Sequence, residues 1–133
     1  MPLLRLLNSL ITALVVFLAA APGALAQTAS PFVGGAWSGN VTASTATVKV
    51  RLASPGQAVR LALATNAKLD GAIYTASVVS SAATGNIVTF NLGSLEPQTS
   101  YHYGLEVGGA LREEAVSRGR FRTFPRGAGS FKL

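Results

Sequence analysis

The 133-residue chain has no cysteine, one histidine, one aspartate and one tryptophan, and only 12% of its residues are charged. Without cysteine there is no disulfide and no thiolate metal site. His102, Asp70 and four glutamates are the whole supply for acid–base or metal-ligand chemistry. A helical period is absent beyond residue 26, which excludes a helical bundle. What the chain does have is apolar residues, 49% of the total, and 14 glycines. That balance belongs to a chain that folds.

The first 26 residues read as a cleaved signal peptide. Met1 to Arg5 is a short positive start, Leu6 to Ala21 is mostly apolar, Pro22 and Gly23 break the run, and Ala24-Leu25-Ala26 is an A-x-A cleavage site before Gln27. The uninterrupted apolar run from Ala13 to Ala21 is too short to cross a hydrocarbon core of about 30 Å. No stable membrane anchor is expected after cleavage. Removing 26 residues leaves 107, with ten basic and five acidic side chains, a net +5. Export without cysteine suggests a bacterial-type protein, secreted or periplasmic, that does without disulfides. Residues 27–31 form a small-residue linker.

From residue 32 onward the apolar residues alternate. Phe32 to Gly39 is a short strand interrupted by glycine, and Trp37 in it is expected as a core anchor between two sheets. Over Thr45–Ala53, Val48, Val50 and Leu52 face one way and Thr47, Lys49 and Arg51 the other. Ser54-Pro55-Gly56 turns the chain. Gln57–Thr65 follows, with Val59, Leu61 and Leu63 inward and Arg60 outward. Ala72–Ser80 alternates poorly and reads as an edge or crossover strand. Asn86–Leu92 turns Val88, Phe90 and Leu92 to one face. In Val116–Phe124, Phe121 and Thr123 oppose Arg118, Arg120 and Arg122, and Pro125 ends the strand.

Between the last two long strands lies the most informative stretch, Leu95 to Val107. Pro97 cannot donate to a ladder, so the chain bends there. From Tyr101, Tyr103, Leu105 and Val107 share one face, with His102, Gly104 and Glu106 on the other. A Leu, then Pro, then Tyr at this spacing is the pattern of a tyrosine corner, in which the Tyr101 hydroxyl returns to the backbone just upstream. Leu95 fills the core beneath it and Pro97 stiffens it. Seven short strands with turn signals every ~8–12 residues predict an all-β, two-sheet antiparallel sandwich over residues 32–125.

Leu95-x-Pro97-x-Thr99-x-Tyr101-x-Tyr103 resembles the corner of fibronectin type III domains, members of the immunoglobulin-like sandwiches. Gly34-x-x-x-Ser38-Gly39-Asn40-Val41-Thr42, followed by Ala46-Thr47-Val48, resembles the start of the N-terminal domain of alkaline phosphatase D-like enzymes. That family runs Gly-Val-Ala-Ser-Gly-Asp; here Asn40 stands where Asp is usual and Trp37 displaces an Ala. The end is similar too: Gly119-x-Phe121-x-Thr123-Phe124-Pro125, then Gly129-Ser130-Phe131-Lys132-Leu133. Purple acid phosphatases carry a similar front domain. The resemblance implies a non-catalytic, fibronectin-III-like accessory domain in front of a calcium- and iron-type metallophosphoesterase domain of the same parent chain. Residues 126–133 would then be a linker and the first residues of that domain. The alternative is a free-standing extracellular binding module.

A phosphatase centre needs several metal ligands around the phosphate, and no cofactor is expected in this chain. His102 faces outward among neutral neighbours. Glu113 and Glu114 are adjacent in a hairpin tip and point apart, and Ser38 and Ser130 have no base partner. No catalytic or metal residue is assigned. The one charge pattern is Arg118, Arg120, Arg122 and Arg126. On a strand the first three line up as a basic stripe about 13 Å long. It reads either as a solvated face that protects an edge strand or as a docking surface for a second domain or an acidic ligand. Nucleic acid is not expected, because no aromatic interleaves on that face and the protein is exported.

Overall fold

The computed structural model describes residues 29–127. The expected leader over 1–26 and the segment 128–133 lie outside the described residues. The described residues form nine strand segments: β1 Trp37–Gly39, β2 Ala46–Arg51, β3 Ala58–Ala64, β4 Ile73–Tyr74, β5 Val78–Val79, β6 Ile87–Leu92, β7 Ser100–Val107, β8 Ala110–Leu111 and β9 Arg118–Arg122. One sheet has the order β1-β2-β6. In the other, β3 and β7 are central; β4 and β5 both pair with β3, and β8 and β9 both pair with β7. Every pairing is antiparallel. The nine segments therefore occupy seven strand positions, two of them split, in a three-on-four sandwich. Among the described residues no helix is long and apolar enough to cross a membrane.

The core lies where the alternating residues point. Ala46, Val48, Val50 and Leu52 meet Val88, Phe90 and Leu92 on the first sheet, and Val59, Leu61, Tyr101, Tyr103, Leu105, Val107 and Phe121 on the second. Each full burial of such a side chain is worth about 1.5–3 kcal/mol. Tyr101 stacks on Phe121 with centroids 5.6 Å apart.

Trp37 is not between the sheets; it is 46% exposed. Parity decides this. Phe32 bridges Leu52, and Phe32 and Ala36 both contact the core. Even-numbered positions thus face inward, and the inward position opposite Val48 falls to Ser38. Trp37 pairs with Lys49 on the outer face. A one-residue shift in register would exchange the two faces.

The strand expected over 72–80 is broken at Thr75. The Thr75 N–H donates to the Leu61 carbonyl at 2.9 Å and its Oγ1 accepts from the Leu61 N–H at 3.0 Å. One residue thereby satisfies both backbone groups of Leu61. The last strand is shorter than the expected Val116–Phe124. Ala115–Ser117 forms a 3-10 turn, closed by Ser117 Oγ donating to the Glu114 carbonyl at 2.7 Å.

The outer face of the second sheet has its own small core. Ala62, Ala64 and Leu69 cluster there. Leu69 sits at φ 59° in a turn tied by the Asn66 side chain to both the N–H and the carbonyl of Asp70. Leu69 covers Gly104 so closely that a Cβ there would lie 2.7 Å from Leu69 Cδ1.

The corner is closed by a hydrogen bond. The Glu96 N–H donates to the Tyr101 hydroxyl at 2.9 Å, and Leu95 is buried beneath it. Thr123 adds a second tie, its Oγ1 donating to the Glu96 carbonyl and accepting from the Thr99 N–H at 3.0 Å. Tyr101→Phe removes the acceptor from Glu96 N–H and should destabilise the domain by about 1–2 kcal/mol, read as a lower urea midpoint at unchanged slope. Equal midpoints for the two proteins would show that the corner bond contributes nothing.

Candidate interdomain surface

Strand β9 sets the candidate surface. Its partner across the sheet is β7, in the register Arg118↔Gly104, Arg120↔His102 and Arg122↔Ser100. With Phe121 and Thr123 buried, Arg120 and Arg122 are exposed and Arg118 is half-buried. Arg126 is exposed beyond the strand, past Phe124 and Pro125. Alternating arginines on an edge strand also discourage pairing with another chain.

Arg118 is held in place. Its Nε donates to the Arg112 carbonyl at 3.0 Å, and its stem crosses the space left by Gly104, whose Cβ would be 3.2 Å from Arg118 Cδ. Arg112 is in turn gripped by Glu114, with Nη2–Oε1 at 2.6 Å and Nε–Oε2 at 3.1 Å. The two salt bridges among the described residues are Arg112–Glu114 and Arg60–Glu106. Arg118, Arg120, Arg122 and Arg126 thus have no carboxylate partner among the described residues.

Arg60 and Glu106 were expected only as outward residues of separate strands. The register pairs them, and they form a bidentate fork at 2.8 and 2.9 Å. Arg60 also lies over the Tyr74 ring, 4.7 Å from its centroid. Charge order across two strands cannot be read without the register, so this pair has no local signal in the sequence.

The candidate chemical residues do not converge. Glu114 binds Arg112 while Glu113 lines a separate cleft with His102. Ser38 lies beside Tyr103, whose hydroxyl pKa burial pushes up against an opposing hydrogen bond from Ser38. Ser130 lies outside the described residues. Among the described residues no group of three or more His, Asp or Glu side chains could hold a metal ion.

The family model described as "PhoD-like phosphatase, N-terminal domain" matches residues 18–125. The chain belongs to this family. The PhoD-like sandwich is also similar in structure to a solved PhoD, with a TM-score of 0.64 and 20% identity over 76% of this chain. The chain spans 20% of the length of that structure. The sensor domain of the anti-sigma factor RsgI4 from Pseudobacteroides cellulosolvens has a TM-score of 0.55 and 16% identity, covering 73% of this chain and 98% of its own. At these identities the likenesses show the fold. No curated protein matches the chain in sequence.

The Arg112–Glu114 fork gives the PhoD-like domain a pH signature. The hydrogen bond from Arg112 holds the Glu114 carboxyl below the usual carboxylate range. A depressed carboxylate pKa contributes stability that is present above the ordinary value and lost as pH falls through the depressed one. An NMR titration of the Glu114 side chain should show a low midpoint that Arg112→Gln returns to the ordinary range. A midpoint that does not move in that variant would dissociate Glu114 from the fork.

Proposed function

We propose that this chain is the non-catalytic accessory domain at the front of a secreted or periplasmic PhoD-like phosphoesterase. It packs against, and positions, a metal-dependent phosphatase domain that follows it in the parent chain. The family match supports the place of the domain within such an enzyme. The observation that carries the packing role is the edge around β9. Arg118, Arg120, Arg122 and Arg126 lack carboxylate partners among the described residues, and the half-exposed Phe124 lies between the last two. Unneutralised arginines beside an exposed aromatic are the composition of an interface rim and anchor. The residues suited to hold metals and transfer phosphoryl groups would belong to the partner domain, since the described residues of this one bring no ligand set together.

The test compares hydrogen exchange of residues 29–127 in the parent enzyme and in this chain alone. Added protection at Arg118–Arg126 in the parent is expected, and its loss in Arg122→Glu/Arg126→Glu. The same exchange in both proteins would exclude docking through this edge. This chain alone should hydrolyse no aryl phosphate, and exported protein should begin at Gln27; turnover by the purified chain, or a different mature terminus, would overturn those parts.

A further inference from the structure

Beside the β9 edge, the outer face of the second sheet holds a cleft of about 460 Å³. Its lining includes His102, Arg118, Arg120 and Glu113, beside Tyr103. Arg120 and His102 are direct cross-strand partners, so their Cβ atoms stand ~4.5–5.5 Å apart on one face. Arg118 is next on the same face of β9. Its Nε is occupied by the Arg112 carbonyl at 3.0 Å, and its stem is confined above Gly104. That arrangement leaves the terminal amino groups of a fixed guanidinium as donors. Two arginines and one carboxylate, Glu113, thus line the same cleft, and neither arginine is in a salt bridge among the described residues.

We propose that this cleft binds hydrogenphosphate, with Arg118 and Arg120 donating to its ionised oxygens, His102 adding a ring N–H, and Glu113 accepting from its P–OH. Planar guanidinium forks match tetrahedral oxyanions. Neutral or charged, an imidazole keeps at least one N–H to give. Glu113 supplies the selectivity. Next to an anion with no proton, such as sulfate, its carboxylate only repels; next to hydrogenphosphate it accepts a hydrogen bond. The site shares Arg118 and Arg120 with the proposed docking edge, but all four of its ligating side chains belong to this chain, and its test needs no second domain.

The test follows the backbone amide signals of the folded chain by NMR during titration with inorganic phosphate, at constant ionic strength and neutral pH, with sulfate in a parallel series. Saturable shifts at His102, Gly104, Gly119 and Arg120 are expected, with weaker binding of sulfate. Arg120 is exposed, so Arg120→Gln should keep the fold and weaken phosphate binding roughly tenfold, the loss of one charge-assisted contact. Glu113→Gln should abolish the preference over sulfate while the cleft still responds. Shifts that do not saturate, or that match in wild type and Arg120→Gln, would overturn the site. Equal affinity for sulfate and phosphate in the wild type would overturn the hydrogenphosphate assignment.

Discussion

The bond from the Glu96 N–H to the Tyr101 hydroxyl holds together the point where the chain leaves one sheet for the other. Leu92 ends the three-stranded sheet and Ser100 begins the central strand of the other, so the intervening loop must turn without losing its backbone partners. Tyr101 meets that demand from inside the core. Its ring is buried against Phe121 and its hydroxyl emerges at the loop. Thr123 ties the same loop to the end of β9 through the Glu96 carbonyl and the Thr99 N–H. A buried polar group that is paired in this way costs little, whereas the same group left unpaired would cost ~1–3 kcal/mol.

The basic edge is a consequence of that constraint. Once Tyr101 pairs with Phe121 and Thr123 is drawn under the corner, the parity of β9 is fixed, and Arg118, Arg120 and Arg122 must face out. The same register sets Arg120 beside His102 and Arg118 over Gly104. The basic edge and the neighbouring cleft are therefore products of one packing decision made in the core. Fibronectin-like sandwiches of unrelated role share the frame, and what differs is the chemistry placed on their outer faces.

Much of this frame was legible in the sequence. Val48, Val50 and Leu52, or Val88, Phe90 and Leu92, alternate with polar partners over a whole strand, so their face follows from the period. The corner was legible because Leu95, Pro97 and Tyr101 act over a few residues of local chain. Trp37 was misread because its size suggested the core, while its parity with Phe32 and Ala36 put it outside. Features that depend on two distant segments carried no local signal. Glu106 finds Arg60 only once β3 and β7 are in register. Leu69 covers Ala62 and Ala64 only because a turn folds back over the sheet, and Thr75 stands in for a ladder residue against Leu61. The basic stripe was visible as an i, i+2, i+4 pattern, but its lack of carboxylate partners among the described residues needed the fold.

The most direct measurement is native-state hydrogen exchange at the Glu96 amide. It lies in a loop, on an exposed residue, and loops of that kind ordinarily exchange with little protection. If its N–H is held by Tyr101 as part of the core, it should exchange only with global unfolding, at the rate of the amides in the middle of β7. A Glu96 amide that exchanges as fast as the neighbouring loop amides would contradict a corner that fixes β7 and β9 together.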